Sequence, residues 1–175
     1  YELTYGDWSS DVCSSDLSRA VVAVSQACTA SLRIRPGLLT RENRLTIHNG
    51  ISLGISPVGQ HHYRRDLGIP DSAPMLVMLG TYEPRKGHGF LLRVFEDVHE
   101  RHPDAHLVFC GGGSTQERDK VRHALPAHLA GNVHCLGFVA DGAVLMAEAD
   151  VLVSGSQAFE SFGLTPLEAA VAGTP

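Results

Sequence analysis

The 175-residue chain combines 43% hydrophobic residues with a formal net charge of −5, and its 14 lysines and arginines form no basic run. The mild negative charge and the lack of a basic run argue against a nucleic-acid partner. The length and hydrophobic content suffice for the core of one domain, or of one domain and part of another. The longest clearly apolar stretch, "MLVML", is far too short to cross a membrane.

The beginning of the chain does not fit a folded domain. The segment "YELTYGDWSSDVCSSDL" (1–17) is rich in Ser and Asp, lacks periodicity and holds the only Trp. Its second part, "DWSSDVCSSDL", resembles the translation of a sequencing-library adapter; a genuine acidic linker is the alternative. We therefore expect residues 1–17 to be a disordered artefact that has no part in the fold.

Residues 18–57 predict two short strands and a helix between them. "SRAVVAVS" predicts a short buried strand, "SQACTASLRIR" a helix capped by Ser25, and "NRLTIHNG" a second short strand that ends in an Asn-Gly turn. The run 51–57 contains Gly, Ser and Pro and predicts a linker. We therefore assign 18–57 and 58–175 to different domains.

Apolar runs alternate with helical patterns throughout 58–175. "VGQHHYRRDLGIP" predicts a polar helix closed by Gly68 and Pro70. Strands are predicted in "PMLVMLGT", "AHLVFCGGG", "NVHCLGFV" and "DVLVSGS". Helices are predicted in "HGFLLRVFEDVHERH", "TQERDKVRHALPAHL" with a break near Pro126, "GAVLMAEA", and "TPLEAAVAG" closed by Gly173. The first of these four helices should bury Phe90, Leu91, Val94, Phe95 and Val98. Because the strands are continuous apolar runs, we predict an α/β fold, a Rossmann-like parallel sheet with helices on both faces.

Neither the cysteines nor the histidines predict a metal site. Cys13, Cys28, Cys110 and Cys135 form no C-x-x-C pair, and the ten histidines show no metal-ligand spacing. Cys110 and Cys135 lie in apolar, strand-like runs, which indicates buried reduced thiols and a cytoplasmic location.

Parallel sheets of this kind bind ligands at the carboxyl ends of their strands, and two loops there carry suitable residues. "CGGGSTQER" lacks the dinucleotide fingerprint because Gln116 stands where a glycine is needed. Its glycines predict a tight turn that a ligand can approach rather than an NAD site. In "GTYEPRKGH", Arg85 and Lys86 could neutralise a diphosphate, although a solvated basic turn also explains them.

Two glutamates stand out in the final stretch "AFESFGLTPLEAAVAGTP". A helix start explains Glu168, with Thr165 as N-cap, Pro166 at the first helical position and Glu168 closing a capping box. Glu160 has no such explanation, because it lies in the loop between strand and helix. The alternative is an anion site at the helix N-terminus, with a carboxylate on either side to bind the hydroxyls of a sugar and a ribose.

The stretch "ESFGLTPLEAA" resembles the Glu, seven residues, Glu signature of retaining glycosyltransferases of the GT-B fold, family 4 (glycosyl transferases group 1). "LGTYEPRKGHGFLLRVF", "HLVFCGGG", "VHCLGFV" and "ADVLVSGSQAFESFG" resemble segments of the family's donor domain in the same order. "VVAVSQ" and "TIHNGI" resemble the end of its acceptor domain and the crossing between domains. The resemblance implies that 58–175 is a truncated nucleotide-sugar donor domain and that 18–57 is a remnant of the acceptor domain.

The resemblance implies an enzyme that moves a sugar from a nucleotide-diphosphate donor to a carbohydrate or lipid-linked acceptor, with retention at the anomeric carbon and without a cofactor or essential metal. Glu160 and Lys86 are the implied catalytic residues, the first contacting the transferred sugar and the second stabilising the leaving diphosphate. Glu168 is implied to bind the ribose and the Val139 backbone the base. The remaining implied donor-binding residues are Thr81, Arg85, Phe162, Gly163, Leu164 and Thr165.

Two positions depart from the family pattern. Thr81 stands where many members have Arg, so Arg85 either supplies that cation or the cation is missing; Ser52 stands where Asp is frequent. The resemblance also implies that this polypeptide alone is inactive and poorly stable, and that the parent protein could contact a membrane peripherally. The alternatives are a nucleotide-sugar epimerase and a non-catalytic nucleotide-sugar-binding module.

Overall fold

The computed structural model of the chain describes residues 21–31, 44–51, 62–157 and 160–175. The segment 1–17 and the predicted domain boundary between residues 57 and 58 lie outside these ranges. The chain separates into two compact units, Tyr1–Gly50 and Ile51–Pro175.

The described part of the first unit is a parallel pair of strands with one helix. Strand β1 (Val21–Ala23) pairs with β2 (Arg44–Thr46), and helix α1 (Gln26–Ser31) follows β1. The prediction of a buried strand is wrong for Val22, which is 53% exposed, whereas Ala23 is buried. The Ser25 hydroxyl oxygen accepts a hydrogen bond from the Cys28 N–H at 3.1 Å. Ser25 therefore caps the helix as predicted.

The second unit is an α/β fold built on one parallel sheet. Its strands are β3 (Met75–Leu79), β4 (His106–Cys110), β5 (Val133–Cys135) and β6 (Val151–Leu152). Its helices are α2 (Tyr63–Leu67), α3 (His88–Arg101), α4 (Thr115–His123), α5 (Gly142–Glu148) and α6 (Leu164–Ala172), with 3₁₀ turns at Pro84–Lys86 and Ala127–Leu129. The strand order is β5-β4-β3-β6, and every described pairing is parallel, which confirms the predicted sheet.

Helices cover both faces of this sheet. Side chains alternate along β3 and β4 between two hydrophobic clusters. The first cluster packs the strands against α3 through Met78, Leu107, Phe109, Leu91, Leu92 and Phe95. The second packs them against α2 and α5 through Met75, Val77, Val108, Cys110, Tyr63, Val144 and Leu145. Burial on both faces explains why these strands are continuous apolar runs.

The buried face of α3 differs from the predicted one. Leu91 and Phe95 are buried as predicted, but Phe90 and Val94 are 39% and 40% exposed, and Leu92 is buried instead. The helix carries apolar side chains on two adjacent faces, and periodicity alone does not say which of them meets the sheet.

The helix ends agree better with the sequence. Gly68 ends α2 with φ 70° and Gly173 ends α6 with φ 84°, both as predicted. Helix α4 ends at His123, ahead of the predicted break at Pro126. Within the described residues no helix has the length and apolar character needed to cross a bilayer.

Only one of the two strand cysteines is a buried thiol. Burial raises the pKa of Cys110 to about 11, and its thiol lies 3.4 Å from the Gly137 carbonyl oxygen. The prediction is wrong for Cys135, which is half-buried because β5 forms the edge of the sheet. No two of the described cysteines Cys28, Cys110 and Cys135 form a disulfide.

Arg64 anchors the amino-terminal end of the sheet. Its guanidinium donates hydrogen bonds to the carbonyl oxygens of Glu148, Pro70 and Ala73 at 2.9, 3.1 and 2.8 Å. It also donates to the Asp150 carboxylate at 2.6 Å, and the Arg64 side chain is only 13% exposed. One side chain thus connects α2 to the end of α5 and to the segments that lead into β3 and β6.

We expect Arg64→Ala to lower the free energy of unfolding of the second unit by about 2–4 kcal/mol, because several carbonyl acceptors and a carboxylate lose their donor. Arg65→Ala is the matched control. Its side chain is 71% exposed and meets only the Asp66 carboxylate among ion-pair partners, at 3.4 Å, so we expect a loss below about 0.5 kcal/mol. Chemical unfolding followed by circular dichroism measures both, and equal losses would contradict the anchoring role.

Candidate functional site

The loop after β3 and the loop after β6 meet at two glycines. Gly87 follows the Pro84–Lys86 turn and has φ 78°, in the left-handed region. A Cβ at position 87 would lie 1.9 Å from the Gly155 carbonyl oxygen, and a Cβ at position 155 would lie 2.9 Å from the Gly87 carbonyl oxygen. Two backbones approach this closely only where neither residue carries a side chain.

Gln157 connects the same two loops through its backbone, and its side chain makes a hydrogen bond within its own loop. Its backbone N–H donates to the Arg85 carbonyl at 2.9 Å. Its side-chain amide donates to the Gly155 carbonyl, also at 2.9 Å. The loop that carries Glu160 is thereby held beside the turn that carries Lys86.

Lys86 and Glu160, predicted as catalytic residues on separate loops, form an ion pair. The Lys86 Nζ lies 2.7 Å from the Glu160 Oε2, and the two side chains are 20% and 39% exposed. The Ser156 hydroxyl lies 3.4 Å from the same oxygen. The hydrogen bond from Lys86 is the main cause that lowers the pKa of Glu160, and hydrogen bonds from the Ser161 backbone and Ser156 act in the same direction. The site therefore holds an ionised carboxylate against an ammonium group.

The ion pair lies in an open cleft at the carboxyl ends of β3 and β6. The predicted residues that line it are Lys86, Glu160, Gly163, Leu164 and Thr165. Ser154 and Ser156 also line it, and sequence analysis did not single them out. These two serines could have been predicted from "VLVSGS", in which both follow an apolar strand directly.

Thr81 and Arg85 are held away from the cleft by Glu83. Thr81 Oγ1 donates a hydrogen bond to Glu83 Oε1 at 2.7 Å, and Arg85 Nε donates to Glu83 Oε2 at 2.6 Å. These two bonds, the one from Thr81 first, lower the pKa of Glu83. Among the described residues, Lys86 is the only cationic side chain that lines the cleft. Arg85 is thus paired with Glu83 and does not line the cleft, and its role as the cation that Thr81 lacks stays a prediction.

Helix α6 begins differently from the prediction. Its N-cap is Gly163, with φ 79°, and no side chain caps the helix, so the predicted capping box of Thr165 and Glu168 is wrong. The left-handed glycine lets the chain enter the helix earlier, at Leu164. Glu168 consequently lies beyond the first turn, and its carboxylate makes no hydrogen bond or ion pair with a described residue.

The other predicted binding residues lie around the cleft rather than in its lining. Phe162 is half-buried in the loop before α6. Val139 packs against the second hydrophobic cluster, and its backbone hydrogen-bonds to Cys110. The described part of the chain contains no group of three or more His, Cys, Asp or Glu side chains placed to hold a metal ion.

The glycine turn after β4 has an intramolecular explanation. A Cβ at position 111 would lie 1.9 Å from the Gly80 carbonyl oxygen, so Gly111 permits close packing of the ends of β3 and β4. Ser114 and Glu117 then form a capping box that starts α4. Sequence analysis missed this box, although "STQE" has its spacing.

His88 fixes the start of α3 directly after Gly87. Its ring stacks on Tyr82 with centroids 4.7 Å apart and meets the edge of Phe109 at 5.0 Å. Burial lowers the pKa of His88 to about 4, and its Nε2 has no hydrogen-bond partner among the described residues. A neutral, buried ring thus supports the turn that presents Lys86.

Comparison with characterised sequences assigns the second unit to a family. Residues 60–175 match the family described as glycosyl transferases group 1. The chain is 33% identical over 143 residues to an uncharacterized glycosyltransferase of Methanocaldococcus jannaschii, which is 74% of this chain and 34% of that protein. It is 37% identical over 110 residues to phosphatidyl-myo-inositol mannosyltransferase of Mycobacterium tuberculosis, which is 61% of this chain and 28% of that protein. The chain therefore spans about a third of the length of these curated relatives.

Solved structures have the same fold. The Anabaena HepE structure in complex with UDP and glucose superimposes with a TM-score of 0.77 at 25% identity, over 90% of this chain and 43% of that one. WaaG, a glycosyltransferase involved in lipopolysaccharide biosynthesis, superimposes with a TM-score of 0.72 at 22% identity, over 88% and 42% of the two chains. The α/β fold of GT-B glycosyltransferases is thus shared, and with the match over 60–175 the chain belongs to the glycosyl transferases group 1 family.

Proposed function

We propose that the second unit binds the nucleotide-sugar donor of a glycosyltransferase that transfers the sugar with retention at the anomeric carbon. The observation that carries this proposal is the Lys86–Glu160 ion pair, 2.7 Å between Nζ and Oε2, in a cleft at the carboxyl ends of the strands. Open parallel sheets bind ligands at this edge.

The two charges have complementary roles in such a reaction. When the bond between the anomeric carbon and the diphosphate breaks, its electron pair stays on the diphosphate oxygen. The Lys86 ammonium and the backbone N–H groups at the start of α6 stabilise that charge. The acceptor hydroxyl oxygen forms the new bond and gives up its proton to the released diphosphate. The Glu160 carboxylate lies beside the transferred sugar, where a negative charge stabilises the positive charge that develops on the ring.

The remaining donor contacts follow from the placement of the other residues. The Glu168 carboxylate, without a partner among the described residues, binds the ribose hydroxyls. The backbone of Phe162 and Gly163 contacts the sugar and diphosphate, and the backbone at Val139 lies near the base. The reaction uses no cofactor and no resident metal ion.

The relatives suggest the classes of donor and acceptor. The HepE structure was solved with UDP and glucose, and one relative is named for mannosyl transfer to phosphatidyl-myo-inositol. We propose a hexose donor activated by a nucleoside diphosphate and a carbohydrate or lipid-linked acceptor. A lipid-linked acceptor would bring the enzyme to the cytoplasmic surface of a membrane through peripheral contact.

Donor binding tests the proposal on this chain directly. Lys86→Met should raise the Kd for UDP at least about tenfold, because a methionine of similar length cannot neutralise the diphosphate. Lys120→Met is the matched control, since Lys120 is an exposed lysine of α4 that does not line the cleft. Isothermal titration calorimetry with UDP measures both variants. If Lys86→Met and Lys120→Met bound UDP equally well, the assignment of the cleft would be wrong.

A further inference from the structure

We propose that Gln157 is a positioning residue for the Lys86–Glu160 pair: it docks the loop that carries Glu160 onto the turn that carries Lys86. The catalytic importance of this docking rests on the proposed function, whereas the docking itself is a property of the structure.

The position of Gln157 in the chain gives it control over Glu160. Strand β6 ends at Leu152 and helix α6 begins at Leu164, so the connection between them must bring Glu160 back over the end of β3. Gln157 lies between Gly155, which contacts Gly87, and Glu160. Gln157 is thus hydrogen-bonded to the neighbouring loop only three positions before Glu160 in the sequence.

The acceptor of its backbone hydrogen bond gives Gln157 control over Lys86 as well. The N–H of Gln157 donates at 2.9 Å to the carbonyl of Arg85, the group that forms the peptide bond with Lys86. The Lys86 N–H in turn donates to the Glu83 carbonyl at 3.0 Å within the 3₁₀ turn. The C=O and the N–H of the peptide bond between Arg85 and Lys86 are therefore both hydrogen-bonded. This restricts the direction in which the Lys86 side chain leaves the backbone.

The side-chain amide of Gln157 adds a second restraint. It donates at 2.9 Å to the Gly155 carbonyl, the oxygen that lies 1.9 Å from where a Cβ of Gly87 would stand. This oxygen is pressed against the neighbouring backbone, so the amide satisfies an acceptor that solvent reaches poorly. The same residue thus fixes the glycine contact and the lysine turn, and the 2.7 Å ion pair is the result.

Two variants separate the parts of this arrangement. Gln157→Ala removes the amide and keeps the N–H, whereas Gln157→Pro removes both donors. Gln116→Ala is the matched control, because Gln116 is an exposed glutamine of α4 outside both loops. A carbon-13 NMR titration measures the pKa of the Glu160 carboxylate in each variant of this chain. An amide fingerprint spectrum checks that each variant is folded, and a separate titration measures the Kd for UDP.

The expected result is a Glu160 pKa that rises toward its ordinary value in Gln157→Ala and further in Gln157→Pro, with no change in Gln116→Ala. The Kd for UDP should rise about three- to tenfold in the Gln157 variants, since a site loosened by a fraction of an ångström loses part of its interaction energy. An unchanged Glu160 titration in a folded Gln157→Pro would overturn the proposal. If Gln157→Pro does not fold, an unchanged titration in Gln157→Ala overturns it instead. Failure of every variant and of the unmodified chain to bind UDP would count against the proposed function, while the Glu160 titration still decides the role of Gln157.

Discussion

Replacing Glu160 by glutamine is expected to lower the rate of sugar transfer by about 10²- to 10³-fold while the Kd for UDP changes by less than about threefold. The substitution Glu160→Gln keeps the size of the side chain and removes its negative charge. In the proposed reaction that charge faces the sugar and stabilises the transition state. The base and ribose of UDP are uncharged, so their binding does not depend on it. UDP binding is kept because a neutral amide at position 160 no longer competes with the diphosphate for Lys86, whose Nζ lies 2.7 Å from the Glu160 carboxylate.

The measurement needs an initial-rate assay of the product of the complete gene and a UDP titration of the same variant. Glu168→Gln is the informative comparison, because Glu168 lies in the same signature but outside the lining of the cleft. We expect it to raise the KM for the donor and to leave kcat less affected, since its proposed ligand is the ribose. Equal losses of kcat in both variants would argue against separate roles for the two carboxylates. Donor binding without any turnover in the unmodified protein would favour a non-catalytic binding module.

The position of the site was accessible from the sequence, but its assembly was not. Lys86 and Glu160 could be identified because each follows a predicted apolar strand, and the carboxyl ends of parallel strands share one edge of a sheet. Their direct contact depends on β3 and β6 being neighbours in the order β5-β4-β3-β6, which no local pattern encodes. The Gly87–Gly155 contact is equally non-local, since either glycine alone resembles an ordinary turn.

The wrong start predicted for α6 results from competition between local signals. Thr165, Pro166 and Glu168 form a good capping sequence, yet Gly163 takes the N-cap position because its left-handed conformation starts the helix sooner. The sequence likewise did not show that Glu83, two residues before Arg85, binds its guanidinium at 2.6 Å. The role of Arg85 in donor binding stays a prediction.

Gly87→Ala is expected to destabilise the second unit by about 3 kcal/mol or more. Two costs combine at this position. The backbone has φ 78°, which an alanine adopts only with strain of about 1 kcal/mol. In addition, the new Cβ would lie 1.9 Å from the Gly155 carbonyl oxygen, so the loop after β6 must move away.

Two other glycines separate these costs. Gly68 has φ 70° with no atom within 4 Å of a Cβ, so Gly68→Ala measures the conformational strain alone, about 1 kcal/mol. Gly89 lies inside α3 with open space around a Cβ, so Gly89→Ala should stabilise the unit by up to about 1 kcal/mol. Urea unfolding followed by circular dichroism gives all three values on one scale. A Gly87→Ala loss no larger than that of Gly68→Ala would mean that the two loops are not in contact.

The same variant connects stability to the site. Moving the Gly155 loop away from Gly87 also separates the Gln157 N–H from the Arg85 carbonyl and draws Glu160 away from Lys86. Gly87→Ala should therefore weaken UDP binding even under conditions where the unit remains folded, whereas Gly68→Ala should not, because Gly68 closes a helix at the other end of the sheet. If a folded Gly87→Ala variant kept its affinity for UDP, the cleft would form without the glycine contact. Glycine would then be required at position 87 only for its backbone conformation.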